Sequence, residues 1–97
     1  MAARITITPE ELRTASSNFA TKAGEVREIL DYLRNEVTRL ESTWDGAAQD
    51  QFFMSYEEMA KTLDQFPEVV DGIGQQLSAV AQTLEETDQA LADSLKG

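Results

Sequence analysis

Trp44-Asp45-Gly46 lies near the middle of the 97-residue chain and holds its only tryptophan. The stretch separates two long segments that each repeat apolar residues at helical spacing. Asp45 can cap a helix N-terminus with its carboxylate, and Gly46 can take the positive φ of a tight connection. A bulky ring beside a turn closes the end of a helical hairpin. On spacing alone the stretch reads as a helix–turn–helix corner with an ordinary buried Trp44.

On the N-terminal side, Thr8-Pro9-Glu10-Glu11 predicts a helix start. Thr8 suits the N-cap, Pro9 the first turn, and Glu11 sits three residues after the cap. Glu10 and Glu11 also face the positive end of the helix dipole. Ile7 is placed to pack on Leu12 as a staple. The apolar pattern then runs in two heptad rows. One is Leu12, Phe19, Val26, Leu33 and Leu40; the other is Ser16, Ala23, Leu30, Val37 and Trp44. Alternating steps of three and four make a coiled-coil-like seam. Trp44 is in register with it, so its ring is expected to point at the partner helix. Ala23 and Gly24 are small enough for close approach. Arg34 and Arg39 lie towards the negative end of the helix.

Beyond Gly46 the pattern resumes. Phe52, Met59, Phe66, Ile73, Val80 and Thr87 form one row; Tyr56, Leu63, Val70, Leu77, Leu84 and Leu91 form the other, with Leu95 four residues on. Pro67 interrupts this segment, because a proline inside a helix loses a hydrogen bond and clashes one turn back. Gly72 and Gly74 weaken the same region. The expectation is one bent helix, with a break near 64–67 as the alternative.

These signals predict a single all-α domain over residues 1–97, an antiparallel helix-turn-helix hairpin. Helix 1 covers about 9–43, the turn about 44–46 and helix 2 about 47–95. Helix 1 is then roughly 50 Å long and helix 2 nearer 70 Å, at about 1.5 Å per residue. Folded back, helix 1 reaches roughly residue 83 by that rise, and the segment from Leu84 onward overhangs. A lone hairpin leaves the overhanging stripe, and one side of the seam, wet. A second hairpin covers both, which predicts dimerisation into a four-helix bundle.

A chain of this length builds one small core, for which oligomerisation is a reasonable support. Its net charge is −10. Residues 1–48 hold six basic and eight acidic side chains, and residues 49–97 hold two and ten, so the second half carries −8. Such a surface repels phosphate backbones and anionic lipid, which argues against nucleic acid and membrane partners. The same charges also suit a solvated, soluble surface. With no cysteine and no histidine, thiolate chemistry, disulfides, the commonest metal ligand and the usual general base are all missing. Met1-Ala2-Ala3-Arg4-Ile5-Thr6-Ile7 lacks the apolar core of a secretory signal, so standard rules keep the chain in the cytoplasm. No run reaches membrane-spanning length.

Glu10-Glu11, Glu57-Glu58 and Glu85-Glu86 are adjacent pairs, and adjacent helical residues do not share a face. Di-metal bundles pair Glu with a His three residues on. Asp45 to Asp50 lacks the ligand alternation of a calcium loop. No phosphate loop or serine-nucleophile motif is present. The carboxylates read as solvated helix faces, and no catalytic, cofactor or metal site is expected.

Trp44-Asp45-Gly46 at mid-chain, between amphipathic helices in about a hundred residues, resembles the Trp-x-Gly family of small early-secreted-antigen-like proteins. The resemblance covers the whole chain. Phe52, six residues after Gly46, is similar to the family pattern, and Thr8-Pro9-Glu10-Glu11-Leu12-Arg13 resembles the opening of the Bacillus and staphylococcal branch. The resemblance implies export without a signal peptide by the type VII (ESX) system of Gram-positive bacteria. It implies a secretion substrate, co-secreted partner or virulence-associated factor. The implied partners are a second copy in a homodimer or a related helical-hairpin protein, and the secretion-machinery ATPase. The family's C-terminal signal is Tyr-x-x-x-Asp/Glu, or more loosely a hydrophobic-x3-acid-x2-hydrophobic-x3-hydrophobic pattern. Leu84, Asp88, Leu91 and Leu95 stand at those spacings, with Leu84 in place of the tyrosine. Ordinary heptad packing accounts for the same four positions. The resemblance thus names Trp44, Asp45 and Gly46 as turn motif and Leu84, Asp88, Leu91 and Leu95 as export signal. The hairpin and dimer seam falls on Leu12, Phe19, Val26, Leu33, Leu40, Phe52, Tyr56, Leu63 and Phe66. The rival readings are a cytoplasmic helical adaptor or chaperone that pairs with a larger helical protein, and a purely structural coiled-coil module.

Overall fold

Helix α1 (Pro9–Glu41) starts on a complete capping box. The Thr8 hydroxyl accepts from the Glu11 backbone N–H at 3.1 Å, and Glu11 Oε2 accepts from the Thr8 N–H at 3.1 Å. Two of the orphan donors of the first turn are thereby satisfied. Leu12 is buried, while Ile7 remains exposed. The helix ends at Glu41 rather than Thr43. The Ser42 and Thr43 hydroxyls donate to the carbonyls of Arg39 and Leu40, at 2.7 and 3.2 Å, and so take acceptors that a further turn would use. The computed structural model describes residues 7–96. The expectations for residues 1–6 and 97, the absence of a signal core among them, lie outside these described residues.

The second apolar segment is two helices, α2 (Ala47–Leu63) and α3 (Phe66–Lys96), where periodicity favoured one bent helix. The break falls on Asp64–Gln65. Asp64 N–H donates to the Ala60 carbonyl at 2.8 Å, and Gln65 N–H to the Thr62 carbonyl at 3.2 Å, so the chain tightens as it leaves α2. In a continuous helix Pro67 would meet the Leu63 carbonyl with no N–H to offer. Placed second in α3, it needs no donor and its ring is buried.

α3 runs antiparallel to α1 and packs along it, giving an elongated hairpin of 78 × 25 × 20 Å. Small residues set the spacing. Ala23 and Ala81 are fully buried, and the Ser16 hydroxyl donates to the Gly74 carbonyl at 2.7 Å. A Cβ on Gly74 would lie 3.1 Å from both Phe19 Cβ and the Ser16 carbonyl oxygen. Gly74 is thus the close-approach glycine. Gly24, the residue that the sequence pattern nominated beside Ala23, faces open space, as does Gly72. Besides Pro67 and Gly74, the buried apolar residues among those described are Leu12, Ala23, Ala60 and Ala81, and no large side chain there is fully enclosed. α2 stands further from α1 and is tied to it by long side chains.

The two glycines should separate in a melting experiment. Gly24→Ala adds helix propensity at a site with room and should stabilise by about 0.5–1 kcal/mol. Gly74→Ala gains the same propensity but must push α1 backbone, so it should fall at least ~1 kcal/mol below Gly24→Ala. Equal thermal midpoints for the two variants would contradict this close contact.

Candidate functional site

The turn is built around Gly46, which adopts φ 113° and ψ 178° as the N-cap of α2. Only glycine enters that region without steric cost. Its carbonyl accepts from the Gln49 and Asp50 N–H groups at 3.1 and 3.4 Å, which begins the helix. Asp45 does not cap α2, contrary to the sequence reading; Gly46 holds that position and no side chain caps there. A different latch, unforeseen in the sequence, crosses the turn: the Gln49 side-chain amide donates to the Glu41 carbonyl at 2.9 Å.

Trp44 is half-buried and packs onto α2. Its ring centroid lies 5.5 Å from Phe52 and 5.9 Å from Phe53, and those two rings meet edge-on at 5.3 Å. These are separations at which aromatic pairs attract beyond their area burial. Phe52 stands on a heptad row of the sequence. Phe53 falls off both rows, and adjacency to another aromatic is its only sequence signal.

The hairpin has two unlike flanks. Arg13 grips Glu85 with both nitrogens, Arg27 pairs with Asp71 at 2.7 Å, and Arg34 reaches Asp64 at 3.3 Å and Glu57 at 3.5 Å. The Arg34 guanidinium also lies 5.7 Å from the Tyr56 ring centroid. Arg34 therefore bridges helices, and Arg39 pairs with Glu36 at 2.9 Å. The Arg13 hydrogen bonds hold the Glu85 carboxyl below its ordinary range. All these pairs are solvent-exposed, so they fix orientation more than they add stability.

The other flank is apolar. The rows that the sequence combined into one seam divide between two faces. Ser16, Leu30, Val37 and Trp44 are half-buried around buried Ala23, opposite half-buried Val70, Leu77 and Leu84. Leu12 is buried and Phe19, Val26 and Tyr56 are half-buried. Leu33, Leu40, Phe52, Leu63 and Phe66 are exposed, and Phe66 leaves 55% of its surface in solvent. Met59, Ile73 and Val80 continue the exposed stripe at steps of seven.

At the far end, Leu84 is half-buried and Glu85 meets Arg13, so the overhang does not begin at Leu84 as helix length suggested. The turn at Asp64–Gln65 and the outward course of α2 change the register. Glu85, Asp88 and Gln89 lie beside Pro9 and Glu10. The overhang starts after them, where Leu91 is 60% and Leu95 80% exposed. Among the described residues no acidic group is arranged to hold a metal ion, and no helix is long and apolar enough to cross a membrane.

The fold and turn define a class: a helical hairpin of about a hundred residues whose corner is closed by tryptophan and a conformationally special glycine. The WXG100 family model, which describes proteins of 100 residues with WXG, matches residues 4–89. The chain belongs to that family. It is 34% identical over 97 residues to protein YukE of Bacillus subtilis, covering 100% of both chains. It is 27% identical over 92 residues to type VII secretion system extracellular protein A of Staphylococcus aureus, covering 95% of both. The crystal structure of secreted protein EsxB from Bacillus anthracis superimposes with a TM-score of 0.77 at 32% identity, covering 90% of this chain and 99% of that one.

Gly46→Ala should cost about 1–3 kcal/mol, because alanine does not tolerate this backbone conformation. A urea midpoint unchanged from wild type would show that the turn relaxes freely. A second expectation concerns acid. The folded carboxyl of Glu85 titrates below its ordinary value of 4.5. Its contribution is present above that value and is lost as pH falls through the lower, folded value. Glu85→Gln should therefore melt below wild type at neutral pH, and the gap should close on acidification below pH 4.5. A gap constant from neutral pH into acid would assign it to packing instead.

Proposed function

We propose that this chain is a small secreted protein of a type VII secretion system, exported as a folded homodimer, and that it acts through protein–protein contact. The observation that carries the reading is the exposed stripe Leu33, Leu40, Phe66, Ile73 and Val80, on one flank of a hairpin whose enclosed side chains are mostly alanine. A second hairpin laid on that stripe supplies the burial that a single hairpin lacks. Family membership and the similarity to an extracellular type VII protein support export.

The proposed export signal is the C-terminal face of α3. Asp88, Leu91 and Leu95 lie at steps of three and four, and the two leucines project beyond α1. An acid at the edge of an exposed apolar stripe fits a basic, apolar groove on the secretion ATPase. Leu84, being half-buried, also serves the hairpin, so its truncation mixes export with stability.

Light scattering of the purified protein should give twice the chain mass, and Ile73→Glu should give the chain mass. In the native host, an immunoblot of culture supernatant, with a cytoplasmic marker as control, should detect the wild-type protein. Asp88→Ala and Leu91→Ala should lower that signal while melting within ~0.5 kcal/mol of wild type, as exposed substitutions do. Normal secretion of both variants would remove this face as the signal. A wild-type protein confined to the cells would overturn export itself.

A further inference from the structure

Between Arg39 and Lys61 the chain carries five acidic residues, Glu41, Asp45, Asp50, Glu57 and Glu58, and no basic one. Four of them rim one groove. It opens beside the C-terminal end of α1, runs along α2, and has a volume of about 850 Å³. Phe53 and Met54 form its floor, and Met54 keeps 70% of its surface in solvent. Glu57 leans on Arg34 at 3.5 Å and Glu58 on Lys61 at 3.2 Å. Glu41 and Asp50 have no ion-pair partner among the described residues.

The groove is separate from the proposed dimer face. Asp50, Phe53, Met54 and Glu57 follow one another at helical steps of three, one and three, on the side of α2 that Arg34 reaches. Phe52 and Met59, seven apart, lie on the other stripe. A second hairpin laid over Phe66 and Ile73 would therefore leave the groove open. An apolar floor within a ring of carboxylates is complementary to a helix with leucine-type anchors along one edge and lysine or arginine beside them. The lining spans residues 49–58, about 15 Å of helix, which matches two to three turns of such a partner.

We propose that this groove docks a basic amphipathic helix of another protein. The inference does not depend on the export reading, since it concerns the turn end of the hairpin and not the overhang.

The test uses the full chain, isotopically labelled, titrated with a synthetic amphipathic helical peptide of leucine and lysine. Amide shifts should concentrate at Glu41 and residues 49–58, and binding should weaken with added salt. The triple variant Glu41→Gln, Asp50→Asn, Glu58→Gln should bind about tenfold more weakly, as three exposed ion pairs would supply. Met54→Ser should weaken it as well. A control with equal charge loss elsewhere, Glu28→Gln, Glu86→Gln, Asp93→Asn, should stay within about twofold, since distant exposed charges are screened. Equal weakening by the control would reduce the effect to net charge and overturn the proposal. Shifts centred on Phe66 and Ile73 would place the peptide on the apolar flank, with the same consequence. Concentration-dependent shifts at residues 49–58 without peptide would identify a second copy of this chain as the occupant, again overturning it.

Discussion

The contact between α1 and α3 at Gly74 governs the molecule. Ser16 donates to the Gly74 carbonyl, and Phe19 Cβ would lie only 3.1 Å from a Cβ at position 74. Ala23 and Ala81 continue the approach. Backbones that come this close leave little room between them for leucine or phenylalanine. The larger apolar residues are therefore set to the side, and the hairpin encloses mostly alanine. Burial of alanine contributes little hydrophobic free energy compared with burial of a leucine or phenylalanine. A small domain built this way has reason to seek a second surface.

The half of the hairpin nearest the turn obeys a different rule. Pro67 divides the descending helix, and α2 departs from the close packing that α3 keeps. Bulky groups fill the gap. Trp44, Phe52 and Phe53 cluster just past a backbone conformation that only Gly46 can hold, and Arg34 spans from α1 to Glu57 and Asp64. The motif that defines the family is thus a joint with two parts. The glycine sets the direction of the chain, and the tryptophan fills the space which that direction opens.

Charge gives the hairpin its handedness of use. Arg13, Arg27 and Arg34 of α1 meet carboxylates of α2, of α3 and of the turn between them on one flank, so that flank is polar. The opposite flank keeps Leu33, Phe66, Ile73 and Val80 in solvent. Exposed ion pairs contribute little to stability individually. Their effect is to specify register, since a slip of α3 by one turn would separate Arg13 from Glu85 and Arg27 from Asp71 together. The excess acid of the second half, unmatched by these arginines, lies along α2 at Asp50 and Glu58 and along α3 at Glu68, Glu86, Asp88 and Asp93.

Local chemistry was legible in the sequence. Thr8 to Glu11 satisfy each other's backbone groups within one turn, so that helix start needs no distant partner. Gly46 acts through its backbone freedom and Pro67 through its fixed φ and missing N–H, so a corner at one and an interruption at the other could be read directly. The heptad rows showed that two long apolar stripes exist. Which stripe turns inward is a non-local matter, settled by the small residues that meet across the hairpin. Tertiary packing alone singled out Gly74 over Gly24, brought Phe53 to Trp44, and joined Arg13 to Glu85 across most of the chain. It also moved the start of the overhang past Gln89, because the turn at Asp64–Gln65 and the course of α2 alter a register that residue counting takes as straight. Sequence determined the helical segments, the corner and the interruption at Pro67, since those depend on neighbours along the chain, while the split into α2 and α3 was only its alternative to a bend. The structure decided faces, register and partners, since those depend on which surfaces can approach.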